Sequence, residues 1–249
     1  DLGTPLYTQE YIDTFKTNTN WLDKVFRSAP ISSAELSASS GGDKTSFYIS
    51  GSFFDQKGIL LGTDFQRISS RFNVDHNVNE WLKVGAGISL TNSMNNRVEG
   101  DQSTNGPLPN AVSSFPTNPI YNSDGTYFEG GFFANTVAIA REAVNEARSF
   151  RSLGNVFAEV RPFSGAVLSS KLGYDFINYS EHSFDPTTTR QGARYNGLGF
   201  EAFSKAVNIS SNTTLDYSYS VGENNLGIML GSSIESYENL STIVRGQDY

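Results

Sequence analysis

The chain has 249 residues and a formal net charge of -8, with 18 Phe, 12 Tyr, 23 Gly and no Cys. The acidic balance argues against a nucleic-acid partner, because phosphates are bound by clustered cations. Without Cys there can be no disulfide scaffold, Cys-ligated zinc site or thiol catalysis. The sequence contains no run of about 18 apolar residues, so no transmembrane helix is predicted.

Residues 1–32 are predicted to be the tail of a long loop, with helix starts at Thr8–Tyr11 and Trp21–Arg27. From residue 33 the dominant hydrophobic period is two, which is typical of strands with one apolar and one polar face. About eight such segments follow in chain order: 33–41, 44–55, 65–78, 81–94, 149–161, 166–181, 200–220 and 225–238. Several exceed the roughly 5–6 residues usual in soluble strands and would suit a tilted bilayer crossing.

The connections between these segments alternate between short and long. The longest, 95–148, contains an Asp124-Gly125 turn and, over 135–147, apolar residues at helical spacing that predict a short surface helix. Short turns at one end and long loops at the other are typical of an up-and-down antiparallel outer-membrane barrel, whose turns lie in the periplasm and whose loops lie outside.

Two faces follow from the alternation. We expect the apolar face to point outward to lipid, and its members include Leu82, Val84, Ala86, Ile88, Val207 and Ile209. We expect the polar face to line the lumen, through Arg67, Arg71, Asp75, Lys83 and Lys171. Aromatic residues near strand ends favour membrane girdles: Phe53, Phe54, Trp81, Phe163, Tyr174, Phe176, Tyr179, Tyr217 and Tyr219. Periodicity alone also permits a soluble sandwich with the apolar face inside.

Motifs over residues 20–90 choose between these possibilities. Six motifs follow one another in this region. They are Asn20-Trp21-Leu22-Asp23, Glu35-Leu36-Ser37-Ala38-Ser39-Ser40-Gly41-Gly42, Phe54-Asp55-Gln56-Lys57-Gly58, Gly62-Thr63-Asp64-Phe65-Gln66-Arg67, Arg71-Phe72-Asn73-Val74-Asp75 and Trp81-Leu82-Lys83-Val84-Gly85. This series resembles, in order and spacing, the start of the barrel in SusC/RagA-type TonB-dependent transporters. The family usually has Asp where Asn20 stands and Val where Ala38 stands.

The resemblance implies a bacterial outer-membrane location and a large barrel with an N-terminal plug, which the TonB complex energises. It also implies a SusD-like surface lipoprotein as partner, and oligosaccharides or peptides as substrates. The plug and TonB-contact segment are not represented in these residues. We therefore interpret 1–249 as part of one transporter barrel domain, with an extracellular loop tail over 1–32 and strands and loops over 33–249, forming an open segment rather than a closed barrel.

Candidate contact residues lie in the long connection: Tyr121, Tyr127, Phe128, Phe132 and Phe133. They could stack on a sugar ring, pack against a partner, or pack the loop onto itself. No enzyme, metal or cofactor site is predicted, because His76 and His182 lie in different segments, a strand and a loop, without a nucleophile motif. The alternatives to a transporter segment are a soluble carbohydrate-binding β-sandwich and a complete eight-stranded structural membrane barrel.

Overall fold

A computed structural model describes residues 8–100 and 103–249, apart from the side chain of Tyr11. The predicted positions 1–7 of the loop tail therefore lie outside the described residues. The eight strands are β1 Ile31–Gly41, β2 Thr45–Lys57, β3 Asp64–Asn77, β4 Leu82–Asn96, β5 Val144–Val160, β6 Ala166–Asp185, β7 Leu198–Val221 and β8 Asn224–Gln247. Five helices accompany them: α1 Gln9–Thr14, α2 Trp21–Val25, α3 Pro107–Ser113, α4 Thr136–Glu142 and α5 Arg190–Arg194.

The strands form one antiparallel sheet in sequence order, each paired with its neighbour. This confirms the predicted meander. Within the described residues β1 pairs only with β2 and β8 only with β7, so the sheet is open. A closed eight-stranded barrel would need a ladder between β1 and β8, and a sandwich would need a second sheet. The open-segment prediction is confirmed.

Cross-strand register shows which residues share a face, because directly opposed residues project to the same side. Phe72 opposes Ile88, and Ile209 opposes Tyr174, which places them on the apolar face. On the other face, Asp75 opposes Gly85, and Phe157 opposes Lys171. The two predicted residue sets therefore lie on opposite faces of one sheet.

The connections alternate in length as predicted. The short ones join β1 to β2, β3 to β4, β5 to β6 and β7 to β8, and the last consists of Gly222 and Glu223 alone. The long ones, 58–63, 97–143 and 186–197, lie at the opposite end of the sheet. There they meet residues 19–30, since Leu61 N–H donates to Val25 O at 2.8 Å and Thr19 N–H donates to Pro116 O at 2.9 Å. We call residues 19–30, 58–63, 103–143 and 186–197 the loop layer.

The buried apolar core lies in the loop layer and not in the sheet. Trp21, Val25, Ala111, Val137 and Ala140 are buried together. The Trp21 indole N–H donates to the Phe115 carbonyl at 3.0 Å, so its polar atom is satisfied as it enters the core. A sheet without a core of its own, carrying a packed layer at one end, presents two extended faces.

Two boundaries differ from the sequence-based predictions. The predicted helix over 135–147 ends at Glu142, and Val144 begins β5 by pairing with Phe184. At the chain's end, the last predicted strand stops at residue 238, but β8 continues to Gln247 opposite Leu198. The period-two signal is weak over residues 239–247 because polar and apolar side chains occur on both faces of the strand there.

Other corrections concern single elements. His182 lies in β6 and not in a loop. Helix α3, with 7 residues, and helix α5, with 5, were not predicted. Phe54 opposes Arg67, and Tyr179 opposes Ser149, so both rings lie on the polar face and cannot belong to a girdle on the apolar face.

The short turn between β5 and β6 yields a stability prediction. Gly165 has φ +83, and a Cβ there would lie 2.2 Å from Ser218 O, which is backbone and cannot move aside. We expect Gly165→Ala in the full-length protein to cost about 1–3 kcal/mol in free energy of unfolding.

Urea titration of the folded fraction measures this cost. Gly42→Ala, in the turn between β1 and β2, is the matched control, because a Cβ there meets nothing within 4 Å. Equal midpoints for the two variants would contradict the prediction.

Candidate functional site

The apolar face forms a band bounded by aromatic residues at two levels. Near the short turns, Phe163 contacts Tyr217 with ring centroids 6.2 Å apart. Towards the loop layer, Phe150 contacts Phe176 at 6.2 Å. Ala166 opposes Tyr217, and Phe176 follows Ala166 by ten positions in β6. At about 3.3 Å per residue, the two levels are about 33 Å apart along the strand. With a tilt of about 40°, the band is about 25 Å tall, the height that a membrane barrel presents to lipid.

Side chains within this band remain exposed. Val156, Leu172 and Ile209 are 52%, 50% and 49% exposed, although they are aliphatic. Above Phe176 the same face becomes polar, with Asn178 and His182 in β6 and Lys205 opposite Asn178. The Lys205 ammonium lies 5.9 Å from the Phe176 ring centroid, an arrangement typical of a cation at a membrane interface.

The opposite face carries paired charges. Arg151 binds Asp175 through two hydrogen bonds, with Nε–Oδ1 at 2.9 Å and Nη2–Oδ2 at 2.5 Å. Lys83 lies 3.3 Å from Asp75. Glycines in adjacent positions leave room for such side chains to lie along the sheet, since a Cβ on Gly85 would be 2.6 Å from Asp75 Oδ1.

The other predicted cations of this face differ in their surroundings. The Arg67 guanidinium lies 5.7 Å from the Phe54 ring centroid. Arg71 lies between Ser50 and Ser89, and Lys171 between Phe157 and Asn212. Neither Arg71 nor Lys171 forms a hydrogen bond or ion pair with any residue in 8–100 or 103–249. These two charges are available to a further segment or to a solute.

The predicted loop aromatics do not form one cluster. Tyr121 and Tyr127 pair across a tight hairpin, with centroids 5.2 Å apart. Phe132 and Phe133 meet edge-to-face at 5.0 Å, and Phe133 also contacts Phe115 at 6.4 Å. Phe128 is half-buried and belongs to neither pair.

The two groups differ in how they are exposed. Tyr127 donates to the Glu142 carboxylate at 3.1 Å, and burial together with this bond raises the pKa of Tyr127 to about 12. Tyr121 remains 43% exposed beside it. Phe132 is 81% exposed, with Phe115 at 53% close by. We call Phe115, Phe132 and Phe133 the phenylalanine patch.

A single side chain supports the patch. Arg190, the first residue of α5, donates to the carbonyls of Glu129, Gly131, Phe132 and Phe133 at 2.9–3.0 Å and to the Glu129 carboxylate at 3.2 Å. The Glu129 carboxylate also accepts from Asn135 N–H. Burial outweighs these bonds and raises the pKa of Glu129.

Arg190 and Phe115 were not identified from the sequence. Thr189 caps α5 by accepting from Gly192 N–H at 3.1 Å, and the Thr-x-x-Gly spacing could have indicated that turn. The contact of Arg190 with residues 129–133 joins two connections about 60 positions apart, and no local sequence pattern encodes it.

No helix among the described residues is long and apolar enough to cross a membrane. Nor do residues 8–100 and 103–249 bring three or more His, Asp or Glu side chains together in a way that could hold a metal ion. His76 and His182 hydrogen-bond separately, to Thr45 at 2.7 Å and to Glu201 at 2.5 Å.

An open antiparallel sheet with a lipid-height apolar band, a charged opposite face and a packed layer of long loops is the wall of an outer-membrane type β-barrel. No protein-family model matches the chain. Over 241 residues, 94% of this chain and 24% of the relative, it is 29% identical to TonB-dependent receptor P3 of Formosa agariphila. It is 23% identical to TonB-dependent receptor SusC of Bacteroides thetaiotaomicron, over 90% of this chain and 25% of that one.

A solved structure of the RagAB peptide importer in its open-open state superposes with a TM-score of 0.74 at 25% identity, covering 93% of this chain and 27% of that one. The chain is similar to a barrel segment of SusC/RagA-type TonB-dependent receptors and spans about a quarter of the length of the relatives it matches. The resemblance predicted from residues 20–90 is confirmed. These relatives are receptors and transporters and not enzymes.

Proposed function

We propose that this segment is part of the wall of an outer-membrane transporter that imports oligosaccharides or peptides and is energised by TonB. The apolar band faces lipid, the charged face lines the lumen, and the loop layer is extracellular. The observation that carries the proposal is the apolar band, about 25 Å tall, on a sheet whose opposite face carries charges such as Arg151 and Asp175. The whole of residues 1–249 then belongs to one barrel domain.

The lumen-facing residues in this proposal are Arg67, Arg71, Asp75, Lys83 and Lys171. Since Arg71 and Lys171 have no partner among the described residues, they are the charges that a plug segment or a passing substrate would meet. Lys83 already has Asp75 at 3.3 Å and is therefore a poorer contact. Placing these cations in the lumen also avoids their cost in the lipid band.

A SusD-like surface lipoprotein is the partner we propose for the loop layer. The phenylalanine patch is the surface that such a partner or a peptide side chain would cover, since exposed rings at a rigid site are typical of binding hot spots. The Tyr121–Tyr127 pair, in which Tyr121 is 43% exposed, suits stacking on a sugar ring. Phe128 lies between the two groups in sequence, and its N–H donates to Ile120 O at 3.0 Å.

The test uses the full-length transporter in a strain that lacks the native gene. Phe132→Ala is expected to weaken partner or substrate binding about 30-fold, since a hot-spot ring contributes about 2 kcal/mol. Ile59→Ala, which is 63% exposed in the same layer, is the matched control.

Co-purification of the lipoprotein and growth on defined glycans or peptides separate the roles of the two aromatic groups. Loss of the complex assigns the phenylalanine patch to the partner. Loss of uptake with the complex intact assigns it to substrate. If Phe132→Ala and Tyr121→Ala both behave like the control, the loop aromatics have neither role.

A further inference from the structure

The apolar band is interrupted by a groove that runs across the strands. Cross-strand register aligns Phe72, Ile88, Gly154, Tyr174 and Ile209 in one row over β3 to β7. Each residue in the row has a large side chain except Gly154, and the Tyr174 ring covers that position.

A second row lies one pleat closer to the short turns. There Ala86 opposes Val156, and Val156 opposes Leu172. Between the rows is a groove of about 430 Å³ with an almost wholly apolar lining. It spans five strands, which is about 19 Å at a spacing of about 4.8 Å per strand.

One side chain holds the shape of the groove. The Tyr174 ring lies flat over Gly154, with its Cε1 only 2.3 Å from where a Cβ would be. The Tyr174 hydroxyl is tied to Ser152 Oγ at 2.8 Å, so the ring has a fixed partner at its far end. A side chain that is already fixed loses little conformational freedom when the groove is filled, and this favours binding of one shape.

We propose that this groove binds one acyl chain of a membrane lipid. The inference rests on the proposed orientation, in which the apolar face meets lipid. The groove lies inside the band, between the Phe150–Phe176 and Phe163–Tyr217 levels, where only hydrocarbon is available to fill it. An α-helix, about 10 Å across with its side chains, is too wide for it, whereas a single hydrocarbon chain fits a narrow trough about 19 Å long.

The position along the strands indicates the leaflet. Tyr174 is two residues from Phe176 and eight from Ala166, so its row lies nearer to the loop layer. The chain held there belongs to a lipid of the leaflet next to the long connections. Filling the groove restores dispersion contacts that an open trough on the sheet surface lacks.

The experiment uses the full-length transporter in vesicles of phosphatidylethanolamine carrying a diazirine on one acyl chain. After irradiation, cross-linked peptides are mapped by mass spectrometry. We expect peptides of β5 and β6 that contain Val156 and Leu172 to be labelled about fivefold more than the lipid-facing β2 peptide with Phe47 and Ile49, which corresponds to about 1 kcal/mol of preference. Even labelling over the whole apolar face would overturn the groove proposal while leaving the orientation intact.

Two matched substitutions make the test specific. Ala86→Leu fills the groove and should reduce the β5–β6 labelling to the level of β2. Ala38→Leu makes the same change on the same face in β1, outside the groove, and should leave the labelling unchanged.

Two further outcomes would overturn the proposal. Unchanged β5–β6 labelling in Ala86→Leu would do so, and so would protein–protein cross-links at Val156 in place of lipid adducts. If no apolar-face peptide is labelled at all, the proposed orientation fails as well, and that result is distinct from even labelling.

Discussion

Val156→Arg is expected to destabilise the membrane-inserted full-length transporter by about 2–4 kcal/mol, the cost of a cation near the bilayer midplane on a lipid-facing barrel strand. Val156 lies on the apolar face, six residues from Phe150 and four from Val160, and is 52% exposed. A guanidinium there has neither water nor a carboxylate nearby. Urea-dependent folding into phospholipid vesicles measures the change.

The neighbouring position supplies the control. Asn155 projects to the charged face and is flanked in register by Gly87 and Gly173, so an Arg side chain has room there. Asn155→Arg should change the folding free energy by less than about 0.5 kcal/mol, as surface substitutions usually do. Equal costs at 155 and 156 would mean that both faces meet water, and a reversed order would mean that the charged face meets lipid.

Arg190→Ala is expected to free the segment that carries the phenylalanine patch. The variant loses hydrogen bonds to four carbonyls and one carboxylate, and it leaves Glu129 half-buried without its cation. Removing one partner of a buried ion pair costs about 3–5 kcal/mol, and partial exposure of both side chains reduces this to about 2–3 kcal/mol. Hydrogen exchange of amides 128–135 should accelerate about 30- to 100-fold.

Arg194→Ala is the matched control, because Arg194 lies in the same helix, is exposed and makes no bond to residues 129–133. Exchange at 128–135 in that variant should equal the wild-type rate. Wild-type exchange in Arg190→Ala would show that Asn135 and the hairpin hold the segment without the guanidinium.

The same variant should acquire a pH dependence. Burial already raises the pKa of Glu129 in the wild type, and removing Arg190 removes an influence that lowers it. A carboxyl whose folded pKa is raised contributes stability that is present at low pH and lost as pH rises through that pKa. Protection of 128–135 in Arg190→Ala should therefore be partly restored as pH falls towards 4. A protection factor that does not change with pH would show that Glu129 ionises without cost.

Strand number, order and faces could be predicted from the sequence because they depend on local alternation. Leu82, Val84, Ala86 and Ile88 occupy one face whatever the partner strands, since successive side chains of any strand point to opposite sides. The short turns Gly42–Lys44 and Gly222–Glu223 likewise dictate antiparallel neighbours. The motifs over 20–90 then predicted the resemblance to SusC/RagA-type receptors, which the comparisons bear out.

Strand ends were predicted less well where backbone pairing continues beyond the segment in which apolar and polar residues alternate. Leu240 to Gln247 belong to β8 because they pair with Leu198 to Lys205 of β7, although the side chains there show no clean apolar face. Val144 and Ala147 matched a helical spacing but were drawn into β5 by β6. Strand length above the lipid band depends on the neighbouring strand, and a single segment's pattern does not contain that information.

The loop layer and the groove were decided by tertiary structure alone. Five aromatic residues between 121 and 133 were candidate contacts. The hairpin pairs Tyr121 with Tyr127, while Arg190 fixes Phe132 and Phe133 beside Phe115. The groove exists only because register aligns Ile88, Tyr174 and Ile209 in one row beside the row of Ala86, Val156 and Leu172. By itself the sequence determined the period, the turns and the resemblance to the family, since these are encoded in neighbouring residues. Contacts between positions 60 or more apart required the fold, because which side chains meet depends on register and loop path.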